Sequence, residues 1–121
     1  MRYALDDLET ARTLLGTSSP PRHVAFHAQQ AAEKAIKAVL ISEQIRFPYI
    51  HDLARLRDLV PVAWRVWKVE ADLGRLSDYA ADVRYPDDLP DVSAAEADDA
   101  VADASRVVEA VAADLGPLLD G

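Results

Sequence analysis

The stretch FHAQQAAEKAIKAVL, residues 26–40, carries the first residues that could do chemistry. His27, Gln30, Lys34 and Lys37 follow one another at steps of three and four residues, which places them in one row on a helix. The two lysines could neutralise phosphate oxygens, and a neutral histidine could exchange a proton near pH 7. Such a row is also typical of a solvent-facing helix surface. It therefore indicates either a solvated face or a groove that binds an anion or a second subunit.

A second group of candidate residues lies in DYAADVRYP, residues 78–86. Arg84 could grip a phosphate group through its guanidinium, and the neighbouring tyrosine rings could stack on a base. The same residues also fit the end of a helix, where Arg84 would balance Asp82 and the negative end of the helix dipole. Both interpretations stay open at this point. The candidates for nucleotide or phosphate binding are therefore Arg84, Tyr85, Tyr79, Lys34, Lys37 and His27.

Metal-assisted and nucleophilic catalysis find little support in the sequence. His23 and His27 have the spacing of a helical ligand pair, but no HExxH pattern accompanies them and no third ligand can be identified. His51 directly precedes a predicted helix start, so we expect it to serve local packing. The chain has no cysteine, and none of its serines lies in a glycine-flanked elbow. We expect no metal and no cofactor.

The elements that must position these residues are helices. Apolar residues recur at steps of three and four, and no segment shows the alternation of a half-buried strand. In the second helix the inward row is almost entirely alanine, which lets a neighbouring backbone come close. Prolines, glycines and a Ser93–Glu96 capping box mark the boundaries. The predicted helices run from about residue 4 to Gly16, from Pro21 to Glu43, from Asp52 to Val60, from Val66 to Val83, and from Ser93 to Gly116 and Pro117.

This pattern predicts an all-α fold. Four long helices with short connections favour an antiparallel up-and-down four-helix bundle, with the short helix near residues 52–60 packed across one end. A chain of 121 residues, half of them apolar, is the size of one domain, so we expect residues 1–121 to form a single helical domain.

Charge restricts the classes of partner. Residues 1–60 carry a net charge of +1 and residues 61–121 a net charge of −9, giving −8 for the chain. So much negative charge repels a phosphate backbone, so nucleic-acid binding would have to be confined to a local basic patch. No apolar run approaches bilayer length and acidic residues occupy the N-terminus, so we expect a cytoplasmic protein with no membrane partner.

Three pieces of the chain together resemble a known family. FHAQQAAEKAIKAVL, then HDL at residues 51–53, then DYAADVRYP at residues 78–86, precede a long C-terminal helix. In this combination and order they resemble a small HEPN-domain protein over nearly the whole chain. The resemblance implies an antiparallel helical bundle, usually a homodimer, with a nucleotide or RNA site at the dimer cleft. It also implies a minimal nucleotidyltransferase as partner, in a toxin–antitoxin-type pair.

The resemblance also places the polar residues of the second helix. Their row would form the wall of the dimer cleft, and a mixture of donors and acceptors suits a surface that meets its own copy. We therefore expect Gln29, Gln30 and Glu33 at the dimer seam. Many relatives are metal-independent ribonucleases that use an arginine followed by a histidine four to six residues later. The matching arginine is Arg84, and no histidine follows it in this chain.

Three functional hypotheses follow from these observations. The first is a dimeric module that binds a nucleotide or a nucleotidyltransferase partner and performs no catalysis. The second is a divergent metal-independent ribonuclease, in which Arg84 stabilises the cleaved phosphate and His27 or Tyr79 replaces the missing proton carrier. The third is an all-α dimer with a structural role.

Overall fold

The computed structural model describes residues 1–80 and 91–119, with the side chains of 117–119 left aside. These residues form helices and connecting segments, and no strand occurs among them. The all-α prediction is thereby confirmed. The helices are α1 (Arg2–Leu15), α2 (Pro21–Ser42), α3 (Leu53–Asp58), a 3-10 turn (Arg65–Lys68), α4 (Leu73–Ser77) and α5 (Ala94–Leu119).

Helix α2 is the centre of the packing. It lies against both α1 and α5, while α1 also contacts α5, and α3 and α4 pack against α2 and each other. The alanine row predicts this arrangement correctly, because Ala25, Ala28, Ala32 and Ala35 are fully buried. Side chains this small allow helices on two sides to approach closely, so α2 holds its polar residues in fixed positions.

The segment after Pro61 differs from the predicted long helix. Instead of one helix starting at Val66, the chain forms the 3-10 turn, an extended residue at Val69, and the short helix α4. The Asp72 carboxylate accepts a hydrogen bond of 2.9 Å from the backbone N–H of Arg75, which starts α4 as a separate helix. Leu73 and Leu76, two of the residues that follow the three- and four-residue apolar spacing of the predicted helix, are buried. The spacing therefore identified the inward residues but not the continuity of the backbone.

The helix ends test the capping predictions. Gly16 follows the last residue of α1, as expected, and α2 begins at Pro21, as predicted, with Pro20 in its N-cap position. The capping box is confirmed at α5: Ser93 Oγ accepts from the Glu96 N–H at 3.0 Å, and Glu96 Oε1 accepts from the Ser93 N–H at 3.2 Å. Helix α5 continues past Gly116 to Leu119, so the prediction that Gly116 and Pro117 end it is wrong. The φ of proline is compatible with a helix, although proline costs the helix one hydrogen bond.

Candidate functional site on helix α2

A buried carboxylate lies at the centre of the polar residues of α2. Glu33 is 5% exposed, and its Oε1 accepts hydrogen bonds from Gln29 Nε2 at 2.9 Å and from His51 Nδ1 at 2.7 Å. Its Oε2 accepts from Lys37 Nζ at 3.1 Å. Because an ionised carboxylate can only accept, His51 carries its hydrogen on Nδ1 in this contact. Glu33 therefore links two turns of α2 to the loop before α3.

The hydrogen bonds decide the protonation state of this carboxylate. Burial alone would raise the pKa of Glu33, but the bonds from His51, Gln29 and Lys37 outweigh it and bring the pKa below the ordinary 4.5. Glu33 is thus an anion at neutral pH. Its charge holds the Lys37 ammonium in place, at an ion-pair distance of 3.1 Å.

The expected dimer-seam residues divide into two groups. Gln29 is completely buried, and its Oε1 accepts from Gln30 Nε2 at 2.7 Å while its amide donates to Glu33. Gln29 and Glu33 are enclosed by their own chain, so little of either side chain is exposed, and their place at a dimer seam stays a prediction. The reason for their burial is their position beside the alanine row, on the inward side of α2. Gln30 is half-buried and stays a candidate for a surface contact.

Lys37 also contacts two aromatic rings of the loop between α2 and α3. Its Nζ lies 5.7 Å from the ring centroid of Phe47 and 5.3 Å from that of Tyr49. The Tyr49 ring meets the His51 ring edge-on at 5.7 Å. These are cation–π and T-shaped geometries, so the ammonium, the imidazole and the two rings form one cluster around Glu33.

A second carboxylate holds the rest of the predicted polar row. Asp7 on α1 contacts His27 Nδ1 at 3.3 Å through Oδ1, and its Oδ2 accepts from Lys34 Nζ. The side chain of Asp7 is 15% exposed, whereas those of His27 and Lys34 are 30% and 42% exposed. The polar row on α2 is therefore neither a fully solvated face nor one continuous site. Asp7 on α1 binds His27 and Lys34, whereas Glu33 binds Lys37.

Tyr79 is placed differently from a ring that stacks on a ligand. It is 7% exposed, and its hydroxyl has no hydrogen-bond partner among the described residues. Burial, followed by the nearby Glu96 carboxylate, raises the pKa of Tyr79 above the ordinary 10.0. In this conformation the ring contributes to the core. The other two candidates of the DYAADVRYP stretch, Arg84 and Tyr85, lie outside the described residues.

Three residues of the site were missed by sequence reasoning. His51 was expected to serve local packing, but it pairs with Glu33. Tyr49 and Asp7 were not singled out at all. The sequence contains no local signal for these three residues. It does contain one for Glu33, which lies four residues from both Gln29 and Lys37, a spacing that predicts polar contacts along one side of the helix. The partners from α1 and the loop are 18 to 27 positions away and required the folded chain.

Other features of the described residues limit the chemistry. They contain no group of three or more His, Asp or Glu side chains placed to hold a metal ion. No helix found in them is long and apolar enough to cross a bilayer. A groove on α1 is lined by Asp6, Glu9, Thr10, Thr13 and Leu14. Its carboxylates would repel an anionic ligand, so this groove does not suit a phosphate.

Comparison with known proteins agrees with the helical architecture. A 47-residue segment is 49% identical to a protein described as "Putative toxin MJ1304" from Methanocaldococcus jannaschii, and it covers 39% of this chain but 30% of that relative. No solved structure matches the chain. The sequence model of the HEPN domain matches residues 1–114, which include α1 to α4 and most of α5. With a match over nearly its whole length, the chain belongs to the HEPN domain family.

Proposed function

We propose that this chain is a homodimeric binding module of a toxin–antitoxin-type pair, with a minimal nucleotidyltransferase as its partner protein. It binds a nucleotide or that partner and catalyses no reaction itself. Arg84 and Tyr85 contribute to the ligand site, together with Lys34, Lys37 and His27 of α2. Gln30 contributes to the dimer surface.

The observation that carries this proposal is a HEPN-family chain whose motif arginine, Arg84, has no histidine after it. A ribonuclease of this type needs a group that moves a proton, and the residues after Arg84 up to the end of the chain include none of the three histidines. The similarity to a protein described as a toxin supports the pairing with an antitoxin. The dimer and the nucleotidyltransferase partner come from the family resemblance.

The test combines co-purification with ligand binding. The chain is co-expressed with a minimal nucleotidyltransferase as the candidate partner, and the mass of each species is measured by light scattering. Titration with fluorescent ATP then measures nucleotide binding. We expect a dimer, and we expect Arg84→Ala to weaken nucleotide or partner binding while the circular dichroism spectrum and melting temperature stay unchanged. A monomer that binds neither nucleotide nor partner would overturn the proposal.

A divergent ribonuclease is the second candidate, and the pair formed by His27 and Asp7 favours it. An imidazole whose Nδ1 faces a carboxylate is oriented for proton transfer, and the His27 side chain is 30% exposed to solvent. Lys34 and Arg84 would then stabilise the charge of the cleaved phosphate. The decisive assay is cleavage of a mixed RNA in EDTA by wild type, Arg84→Ala and His27→Ala. Cleavage that both variants lose would replace the binding-module proposal, whereas intact RNA with folded protein would support it.

A further inference from the structure

Tyr49 is the most exposed large hydrophobic side chain of the described residues, yet it has a defined position. It is 84% exposed and lies between Pro48 and Ile50 in a tight turn, in which the Ile50 N–H donates to the Pro48 carbonyl at 2.9 Å. The loop leaves α2 through Gln44, whose φ of 57° turns the chain back. A proline and a closed three-residue turn limit backbone freedom, so the ring is presented with little entropy left to lose on binding.

Two contacts fix the orientation of this ring. The Lys37 ammonium lies over it at 5.3 Å, and the His51 ring meets it edge-on at 5.7 Å. Both contacting residues are in turn held by Glu33, which is buried. The chain thus uses a buried carboxylate to position two side chains against an aromatic ring that itself points into solvent. One face and the edge of the ring are therefore open to a ligand while Lys37 and His51 occupy the rest.

The charge around the ring differs from that of the chain as a whole. Residues 33–51 contain three Lys and Arg residues against two glutamates, a net charge of +1, in a chain whose net charge is −8. Arg46 is exposed on the same loop, and Lys34 lies one helical turn before Lys37. Because Glu33 pairs with Lys37, the loop is close to neutral and not strongly basic, but it repels a phosphate less than the acidic remainder of the chain does.

We infer that Tyr49 is a stacking platform for a nucleobase, and that Lys37 and Arg46 receive the phosphates attached to it. The inference rests on the proposed function, whose ligand it locates at the α2–α3 loop. The base stacks on the ring face opposite Lys37, and the ammonium uses the donors that Glu33 leaves available. His51 is a positioning residue, which keeps the ring in its orientation. A free nucleotide and a single-stranded RNA share this chemistry of a base beside a phosphate.

The test measures fluorescence anisotropy of two probes, mant-ATP and a 5′-fluorescein-labelled hexa-adenylate. Wild type is compared with Tyr49→Ala, Tyr49→Phe and Tyr3→Ala. Tyr3 is a matched control, because it is an exposed tyrosine (65%) with a cation over its ring, Arg2 at 5.4 Å, but lies on the acidic helix α1. We expect Tyr49→Ala to weaken binding at least about fivefold, since the loss of one base stack has this effect, and Tyr49→Phe and Tyr3→Ala to bind as wild type.

The outcomes distinguish the stacking platform at Tyr49 from the proposed function on which it rests. If Tyr49→Ala loses binding of mant-ATP alone, the ligand is a free nucleotide. If it loses binding of the oligonucleotide alone, the ligand is single-stranded RNA. If Tyr49→Ala binds both probes as wild type does, the stacking platform is overturned while nucleotide binding by the module stands. If wild type binds neither probe, the stacking platform and the proposed nucleotide binding are both overturned. Co-purification still tests whether the chain binds a partner protein. Loss of the partner protein alone in Tyr49→Ala would make the loop a protein contact and also overturn the inference.

Discussion

The Nδ1 atom of His51 lies 2.7 Å from Oε1 of Glu33, which joins the loop before α3 to a buried carboxylate on α2, 18 positions earlier in the chain. Lys37 binds the other oxygen of the same carboxylate. One acidic side chain therefore neutralises a lysine and orients a histidine, and the geometry of the Tyr49 loop depends on it. The consequences of changing this carboxylate can be measured independently of any ligand.

Glu33→Gln should lower the free energy of unfolding by about 1–3 kcal/mol. The amide keeps the shape of the side chain, but it removes the negative charge that compensates Lys37 and places an N–H donor where an acceptor is needed. Urea denaturation followed by circular dichroism measures the change. The control is Glu109→Gln, because Glu109 forms an ion pair with Arg12 but its side chain is 70% exposed. We expect that variant to stay within about 0.5 kcal/mol of wild type, and equal losses in the two variants would contradict the role of Glu33.

The pH dependence of stability should carry the signature of the same carboxylate. The folded state lowers the pKa of Glu33 below 4.5, so ionised Glu33 stabilises the fold above that pH. Its contribution is lost as the pH falls from about 4.5 through the lower pKa of the folded state. The melting temperature measured between pH 7 and pH 3 should therefore fall more steeply for wild type than for Glu33→Gln. Parallel curves would mean that Glu33 titrates alike in the folded and unfolded chains.

Alanine at position 28 is required by the approach of the helices around α2. Ala28 is fully buried, and a leucine there would force its neighbours apart or adopt a strained rotamer. Ala28→Leu should lower the free energy of unfolding by about 1–3 kcal/mol. Ala102→Leu is the matched change on an exposed face of α5 and should have little effect. A stable Ala28→Leu variant would show that the space beside α2 is larger than the structure indicates.

The long helices could be predicted because their signals are local. The alanine row of α2 and the capping box of α5 lie within a few turns of one helix, so spacing and cap chemistry define them without knowledge of the fold. The region after Pro61 was predicted wrongly for a physical reason. Leu73 and Leu76 face the core whether they belong to a long helix or to the short α4, and the signal that separates the two is the cap at Asp72.

The candidate site could be predicted only in part. Spacing showed that Lys34 and Lys37 share a face of α2, but not that Asp7 binds one and Glu33 the other. Such pairs form when distant segments fold together, so no short-range pattern contains them. The exposure of Tyr49 has the same origin, since it results from how the loop closes over Lys37.

The N-terminal cap of α5 offers a test of local prediction. Ser93→Ala removes the Oγ acceptor of the Glu96 N–H and should lower the free energy of unfolding by about 1 kcal/mol. Thermal denaturation of this variant is compared with that of Ser18→Ala, a serine of the exposed loop between α1 and α2. If the two variants have the same melting temperature, the packing of α5 alone stabilises it and the cap contributes nothing measurable.

Asp7 should restrain the affinity of the site for anions. Its carboxylate contacts both His27 and Lys34, so Asp7→Asn leaves these groups with more positive potential toward a phosphate. If Lys34 binds the phosphates of the ligand, mant-ATP or hexa-adenylate should bind the variant about two- to fivefold more tightly, and the gain should shrink as salt is raised. Asp6→Asn is the control, because Asp6 is the preceding residue of α1, is exposed, and changes the net charge of the chain equally. An equal gain in both variants would mean that the ligand responds to the overall charge and that Lys34 is not part of its site.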